Sequence, residues 1–287
     1  LWASVLVLED GTGKQVTWIT TDLLGFPAKL SNRIRDRLAV DYQLQKEQII
    51  LCSSHTHSGP VLPEGLTDIY TYDDKQAAVI DRYASALENT IVALVGTARQ
   101  SMVPAEVFSG NGITRFQVNR RNNKEATITP QTPLNGPNDY AVPVLKVSDL
   151  KGHPLAIVFG YACHATTIKQ YLISADYPGF AQSALEEKFP GACAMFFQGA
   201  GADQNPLPRG SIALAQQYGN ELAAAVERVL DEPMTRLKPT LTTAYSELDL
   251  PFDRLPSKQE LTQWSLDSTG YTKRWADHQL KIWNTDG

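Results

Sequence analysis

Cysteine is scarce, and its arrangement removes several readings at once. Cys52, Cys163 and Cys193 are the only three in 287 residues. They are odd in number, lack any Cys-x₂-Cys spacing, and lie in or beside apolar runs, so neither a disulfide framework nor a Cys/His zinc finger suits them and packing does. No apolar run approaches the ~20 residues of a membrane span. Charge of one sign is also in short supply: a formal net charge of −5 leaves no basic run for nucleic acid or polybasic membrane patch. The glycine-rich stretch Gly199 to Pro206 has no Gly-Lys-Ser/Thr ending, so it is not a phosphate loop. No internal repeat or low-complexity tract is present. A basic-then-apolar signal segment is missing too, but the chain opens on Leu1 with a strand already under way; the expectation is that the true start lies upstream and that this absence says nothing about export.

Against those absences stands Ile49 to Pro60, IILCSSHTHSGP. The apolar run Ile49 to Cys52 reads as a strand buried on both faces, leading into a polar loop with two histidines. If the backbone stays extended, His55 and His57 project to the same side. Neutral imidazole is the commonest protein ligand for zinc, and strand ends opening into loops are where α/β proteins tend to place their sites. A bare His-x-His is equally consistent with two solvated loop histidines. What adds weight is His164 in AIVFGYACHATT, a second histidine that follows an apolar strand and enters a threonine-rich loop. Two such loops are what a site assembled across a sheet requires.

In chain order, Ser4 to Glu9 and Gln15 to Thr21 form a hairpin across Asp10 to Gly13. Asp22 follows, open between supporting the site and capping a helix. Leu30, Ile34, Leu38 and Val40 give Ala28 to Tyr42 the spacing of an amphipathic helix. An acidic and aromatic loop, Glu64 to Asp74, precedes a long helix from about Lys75 to Thr97. After a strand at Val103 to Ser109, the segment to Arg121 carries Arg115, Arg120 and Arg121, solvated by default and suited to carboxylate or phosphate recognition otherwise. A second hairpin, Ala141 to Val147 and Leu155 to Tyr161, delivers His164; His153 sits in its turn as a solvated residue. Asp176 belongs either to the first turn of a helix ending near Lys188 or to the site. A buried strand, Ala192 to Gln198, leads to small residues whose backbone N–H groups can approach a ligand, with Asp203, Gln204 and Asn205 as polar heads. Ser211 caps a helix to Leu230, Thr240 to Leu250 alternates like an edge strand, and residues 251–287 read as one or two amphipathic helices. The fold class expected is α/β: a mixed sheet with β-hairpins and flanking helices, site loops at strand ends.

With His55-Thr56-His57-Ser58-Gly59-Pro60, Asn119-Arg120, the His164 loop and Gln198 to Pro206 in this order, the chain resembles the catalytic domain of the neutral/alkaline non-lysosomal ceramidase family over roughly residues 1–230. The resemblance implies a zinc amidase that cleaves the N-acyl bond of ceramide, with an exported or cell-surface location. Residue by residue it makes His55 and His164 ligands of Zn²⁺, gives His57 a contact with substrate or transition state, and has Arg120 help hold the substrate. It also implies a glutamate and a tyrosine ligand much further along, which no residue here convincingly matches. Where the family carries a Gly-Asp-x-Ser-Pro serine, this chain reads Ala202-Asp203-Gln204-Asn205-Pro206, so Asn205 replaces the nucleophile; an amide is no nucleophile but can donate to an oxyanion.

The expected function is therefore a zinc-dependent hydrolase of an amide or ester bond, ceramidase-like, with metal-bound water as nucleophile, acting on a small-molecule or lipid amide. Residues 1–250 form the metal hydrolase domain, truncated at both ends, and 251–287 a helical continuation. The rival readings are an amidohydrolase-type enzyme using His55 and His57 on one zinc, and a non-catalytic binding domain that kept the fold.

Overall fold

The computed structural model describes residues 1–286. In chain order its elements are β1 (Ala3–Glu9), β2 (Gln15–Thr21), α1 (Ala28–Tyr42), β3 (Ile49–Ser53), α2 (Asp74–Gln100), β4 (Ala105–Ile113), β5 (Gln117–Asn119), β6 (Ala141–Asp149) and β7 (Pro154–Tyr161). They continue with α3 (Asp176–Lys188), β8 (Cys193–Gln198), β9 (Gln204–Pro206), α4 (Ile212–Asp231), β10 (Thr235–Arg236), α5 (Lys258–Asp267) and α6 (Gly270–Asp286). The α/β architecture expected from the sequence holds, with the strands shared among three sheets ordered β1-β2-β3, β10-β4-β6-β7-β8 and β5-β9.

Local chemistry explains the hairpin that starts the chain. Asp10 Oδ1 accepts the N–H groups of Thr12 and Lys14 at 2.8 and 3.1 Å, and Gly13 takes the left-handed φ of +84° that the turn needs. β2 then pairs antiparallel with β1 and parallel with β3. In the larger sheet β7 is an interior strand, antiparallel to β6 and parallel to β8. Its side chains are buried along nearly its whole length, as its unbroken apolar run requires.

The chain divides into two compact units, residues 1–60 with 88–244 and residues 61–87 with 245–287. In the first, Val142, Val144, Ile157, Phe159 and Tyr161 of the five-stranded sheet pack with Tyr177, Leu185, Leu222 and Val226 of α3 and α4. The two helices cross closely because Gly219 has no side chain; a Cβ there would lie 2.8 Å from the carbonyl oxygen of Tyr177. Ser211 caps α4 as its sequence suggests, its hydroxyl accepting Leu214 N–H at 3.2 Å. Along α1, Leu30, Ile34 and Leu38 are buried, but Val40 lies off that stripe and is 80% exposed.

In the second unit, α5 begins with a reciprocal Ser257–Glu260 capping box, and Trp264 packs on Trp275 of α6 at 6.0 Å. Arg274 Nε donates to the carbonyl oxygen of Asp68 at 2.8 Å, which ties α6 to the acidic loop. The edge strand expected at Thr240 to Leu250 does not form; only Thr235–Arg236 pairs, with Ser109 and Phe108 of β4. Alternation supplies a pattern, but a strand also needs a partner met in register, and residues 240–250 pair with no strand among the described residues. No helix among the described residues is long and apolar enough to cross a membrane.

Candidate metal centre

Two parallel strand pairs build the site. Parallel neighbours present their carboxyl ends on one side, and loops leaving those ends meet there. His55 follows β3, and its Nδ1 lies 2.7 Å from the carbonyl oxygen of Leu24, in the loop after the parallel partner β2. His164 follows β7, and its Nδ1 lies 2.8 Å from the carbonyl oxygen of Gly201, in the loop after the parallel partner β8. Each pair thus contributes one histidine and the carbonyl that orients it. A parallel bridge between Thr56 and Ala165 joins the two loops, with His57 N–H donating to Ala165 O at 3.2 Å.

A carbonyl oxygen can only accept, so Nδ1 of both His55 and His164 carries a proton, and in the neutral ring Nε2 keeps its lone pair. The ring centroids of His55 and His164 are 4.8 Å apart, those of His55 and His57 5.0 Å, and those of His57 and His164 5.6 Å. One nitrogen from each of the three lies within 4.8 Å of the others, so the cluster could hold a metal ion. Zinc–nitrogen bonds of about 2.0–2.1 Å in a tetrahedral site bring ligands to about 3.3 Å from one another, so nitrogens as far apart as 4.8 Å would draw together by up to about 1.5 Å on binding.

His55 and His57 do not converge for the reason their spacing suggests. β3 stops at Ser53, and His55 adopts a left-handed φ of +57°, so the backbone is not extended through the pair. Such a conformation costs a non-glycine residue about 1–3 kcal/mol and tends to be found where function holds it. The bridge at Thr56 fixes it here: the Thr56 hydroxyl donates to Ser174 O at 2.7 Å and accepts Ser58 N–H at 3.2 Å. Gly59 follows at a tight place, where a Cβ would lie 3.3 Å from Asp22 O.

The acids that bracket the site are structural. Asp176 opens α3 with φ +56°, and its carboxylate accepts Ile168 N–H at 2.8 Å and Tyr177 N–H at 2.7 Å, pinning the His164 loop to the helix. Asp22 accepts Trp2 N–H at 2.8 Å. Burial raises the pKa of both carboxyls against those hydrogen bonds.

His57 is exposed, and neither ring nitrogen is hydrogen-bonded among the described residues. Although the residue as a whole is exposed, its ring sits 5.0 Å from that of His55 and 5.6 Å from that of His164, and partial desolvation there lowers its pKa to about 4, with the charges of His55, His164, Arg120 and Arg209 adding to the effect. Burial likewise lowers His164, helped by Arg120 and His55 and opposed by the Gly201 carbonyl. Both shifts favour the neutral imidazole in His57 and His164, the form that binds metal. Cys52 and Cys163 take no part: burial raises both thiols, and the cluster among the described residues is histidine alone.

Arg120 reaches the site through its charge on His57 and His164. Its backbone N–H donates to Asp203 O at 2.7 Å. The preceding Asn119, 1% exposed, donates to Pro137 O and Asp203 Oδ2 at 2.9 and 2.8 Å and accepts Arg121 N–H and Asn122 N–H at 3.0 and 3.1 Å. Asn205 is buried in β9, opposite Val118 of β5, and its Oδ1 has no hydrogen-bond partner. Its neighbour Gln204 accepts His164 N–H at 3.1 Å through the backbone. No hydrogen bond among the described residues joins the Asn205 side chain to a histidine.

The glycine stretch differs from its sequence reading. It was expected to offer N–H groups to a ligand, yet Gly199 N–H donates to Tyr161 O at 3.0 Å and Gly201 N–H to Gly199 O at 2.7 Å. What it offers the site is the Gly201 carbonyl. Arg209 was missed altogether: it pairs side-on with Glu125, at 3.0 Å from Nε to each oxygen, and adds positive charge near His57. No local motif marks it.

A family model for the N-terminal part of the neutral/alkaline non-lysosomal ceramidases matches residues 1–206. The chain belongs to this family. It is 25% identical over 227 residues to neutral ceramidase B of Dictyostelium discoideum, covering 72% of this chain and 31% of that protein. It is 24% identical over 283 residues to the neutral ceramidase of Pseudomonas aeruginosa, covering 91% of this chain and 41% of that protein. Among solved structures, a ceramidase complexed with C2 superposes with a TM-score of 0.68 at 20% identity, over 82% of this chain and 39% of that one. The neutral ceramidase of P. aeruginosa gives 0.67 at 22% identity, over 82% and 40%. These superpositions establish a shared fold. The chain spans about a third to two fifths of the length of these ceramidases.

Proposed function

We propose that this chain carries the metal-binding half of a zinc-dependent hydrolase that cleaves an amide (N-acyl) or ester bond, with ceramide-like lipid amides as the substrate class. The observation that carries the reading is the tautomer of His55 and His164. Both protons are committed to backbone carbonyls, so both Nε2 lone pairs are free for one cation.

Zinc, when bound, supplies a Lewis acid that polarises a carbonyl and lowers the pKa of water to about 7. The chain's own residues do the rest. His55 and His164 hold the ion. His57, neutral above pH about 4, has a free ring nitrogen to take a proton from the attacking water. Arg120 binds the substrate's polar or anionic group and the carboxylate product. Asn205 cannot attack, but its amide N–H can donate to a developing oxyanion, and its unpartnered Oδ1 can accept from a substrate N–H or hydroxyl.

Zinc content of separate His55→Ala, His57→Ala and His164→Ala proteins tests the assignment, together with turnover of a panel of N-acyl amides and esters that includes N-acylsphingosine. The first and third substitutions should empty the site; the second should keep the metal and abolish turnover. Loss of zinc from His57→Ala with retention in His164→Ala would instead place His55 and His57 together on one ion. A second reading, a binding domain without catalysis, is favoured by Asn205 at the serine position. Stoichiometric zinc with no turnover on the panel would establish it.

A further inference from the structure

The loop between His164 and α3 carries a feature the metal centre does not require. Tyr171, Leu172 and Ile173 are three consecutive large apolar side chains with exposures of 109%, 46% and 75%. Scattered exposed apolar residues are ordinary, but a contiguous triplet is not. Nor is this tip loosely tethered. On one side Gln170 Nε2 donates to Gly210 O at 3.0 Å, and Gly210 N–H donates to Thr167 O at 2.7 Å. On the other, Ser174 N–H donates to Ser58 O at 2.9 Å, while Ser174 O accepts the Thr56 hydroxyl. The triplet is thus held outward from a base bonded directly to the His55-Thr56-His57 loop.

Cations gather around the same base. Lys169 and Arg209 share the single carboxylate of Glu125, at 3.3 and 2.6 Å. Arg120 and Asp203 are joined through the backbone, and Arg121 and Lys124 lie between Arg120 and Glu125. These linked segments hold five cationic side chains, Arg120, Arg121, Lys124, Lys169 and Arg209, against Glu125 and Asp203, on a chain of net charge −5. The cluster is assembled from three separate stretches, so no run in the sequence displays it.

We propose that Tyr171–Ile173 inserts into a lipid surface bearing anionic headgroups, with the surrounding cations attracting that surface, so that the metal centre is docked at the membrane interface. An exposed apolar tip with Lys169 and Arg209 at its base suits a fluid bilayer, which closes round whatever enters it, whereas a protein partner would need a matching cavity. Tyrosine is also a side chain favoured at such interfaces. The choice of lipid draws on the proposed N-acyl lipid substrate, but binding to vesicles needs no turnover, so the two readings can fail separately.

Cosedimentation of the full chain with phosphatidylcholine vesicles, with and without phosphatidylglycerol, is the test. Binding should favour the anionic vesicles and weaken with salt. A combined Tyr171→Ser, Leu172→Ser, Ile173→Ser variant should lose about tenfold or more in partitioning. Arg121→Gln should lose severalfold on anionic vesicles only. Unchanged zinc content and circular dichroism would show that both variants fold. Vesicle binding without turnover on any N-acyl substrate would sink the hydrolase reading and leave the docking standing. Equal binding of wild type and the triple variant would overturn the proposal, as would failure of the wild type to bind either vesicle. Self-association without vesicles that the triple substitution abolishes would also overturn it, by assigning the tip to a protein contact.

Discussion

Gly201→Ala tests how His164 is held. A Cβ on Gly201 would stand 2.5 Å from the backbone nitrogen of Cys163, 2.6 Å from the carbonyl carbon of Ala162 and 2.7 Å from Gln198 Nε2. The first two are main-chain atoms of the segment that delivers His164, so no rotamer change clears them. Ordinary contact begins at 3.4 Å, and the difference from 2.5 Å means that Gly201 must retreat by 0.9 Å. Its carbonyl oxygen lies 2.8 Å from His164 Nδ1. A retreat of that size along the bond stretches it to about 3.7 Å, outside hydrogen-bonding range. Overpacking costs ~1–3 kcal/mol, offset by ~0.4–1 kcal/mol because alanine stiffens the unfolded chain. The larger effect falls on the metal: an imidazole that loses its orienting acceptor typically costs about 10–100-fold in affinity. Zinc titration against a competing chelator reads the affinity, and a thermal melt reads the fold. Gly199→Ala is the control, since its Cβ would meet nothing closer than 3.2 Å and Gly199 makes no bond to His164; it should change zinc affinity less than about threefold. A folded Gly201→Ala protein with wild-type zinc affinity would refute the reasoning.

Asn119→Ala should destabilise the chain by about 2–4 kcal/mol in denaturant melts, because it deletes a buried side chain making four hydrogen bonds and leaves Asp203 Oδ2 without its amide partner. In the metal-free chain, His57 should titrate near pH 4 by NMR rather than at its ordinary 6.5. The lowered value means that the unfolded chain takes up the proton first as pH falls; stability from this group is therefore intact above about 6.5 and lost progressively toward 4, and a melting temperature flat across that window in wild type relative to His57→Gln would contradict it. Ser211→Ala removes the α4 cap and should cost about 1 kcal/mol without touching zinc content. Zinc addition should slow amide exchange at the ends of β2–β3 and β7–β8 together, and protection confined to one pair would count against a shared ion.

Strands, helices and the histidine loops were legible because they depend on patterns with a period: the unbroken apolar run of β7, the i, i+4 stripe of α1, the turn chemistry of Asp10 to Gly13. What escaped depends on pairing across long separations. Val40 and the alternating segment Thr240 to Leu250 fit local patterns, yet one is exposed and the other pairs with no strand among the described residues. Arg209 enters the site only because Glu125, 84 residues away, holds it there. The meeting of His55 with His164 was expected from two similar strand-end settings, and their rings do lie 4.8 Å apart.

The way they meet could not be read from spacing, because the atoms that orient each imidazole are backbone carbonyls, and every residue supplies one. Leu24 and Gly201 qualify by position alone, each lying just past the strand that pairs in parallel with the histidine's own. The Leu24 acceptor is a main-chain atom that any residue would supply, whereas at Gly201 the close approach to Cys163 and Ala162 means that any side chain must displace the carbonyl. The same parallel geometry therefore writes one histidine's support into the sequence as a glycine and leaves the other's unwritten. Sheet register, rather than any motif, sets both imidazole tautomers, so a strand slip in either pair would abolish metal binding while leaving every histidine in place.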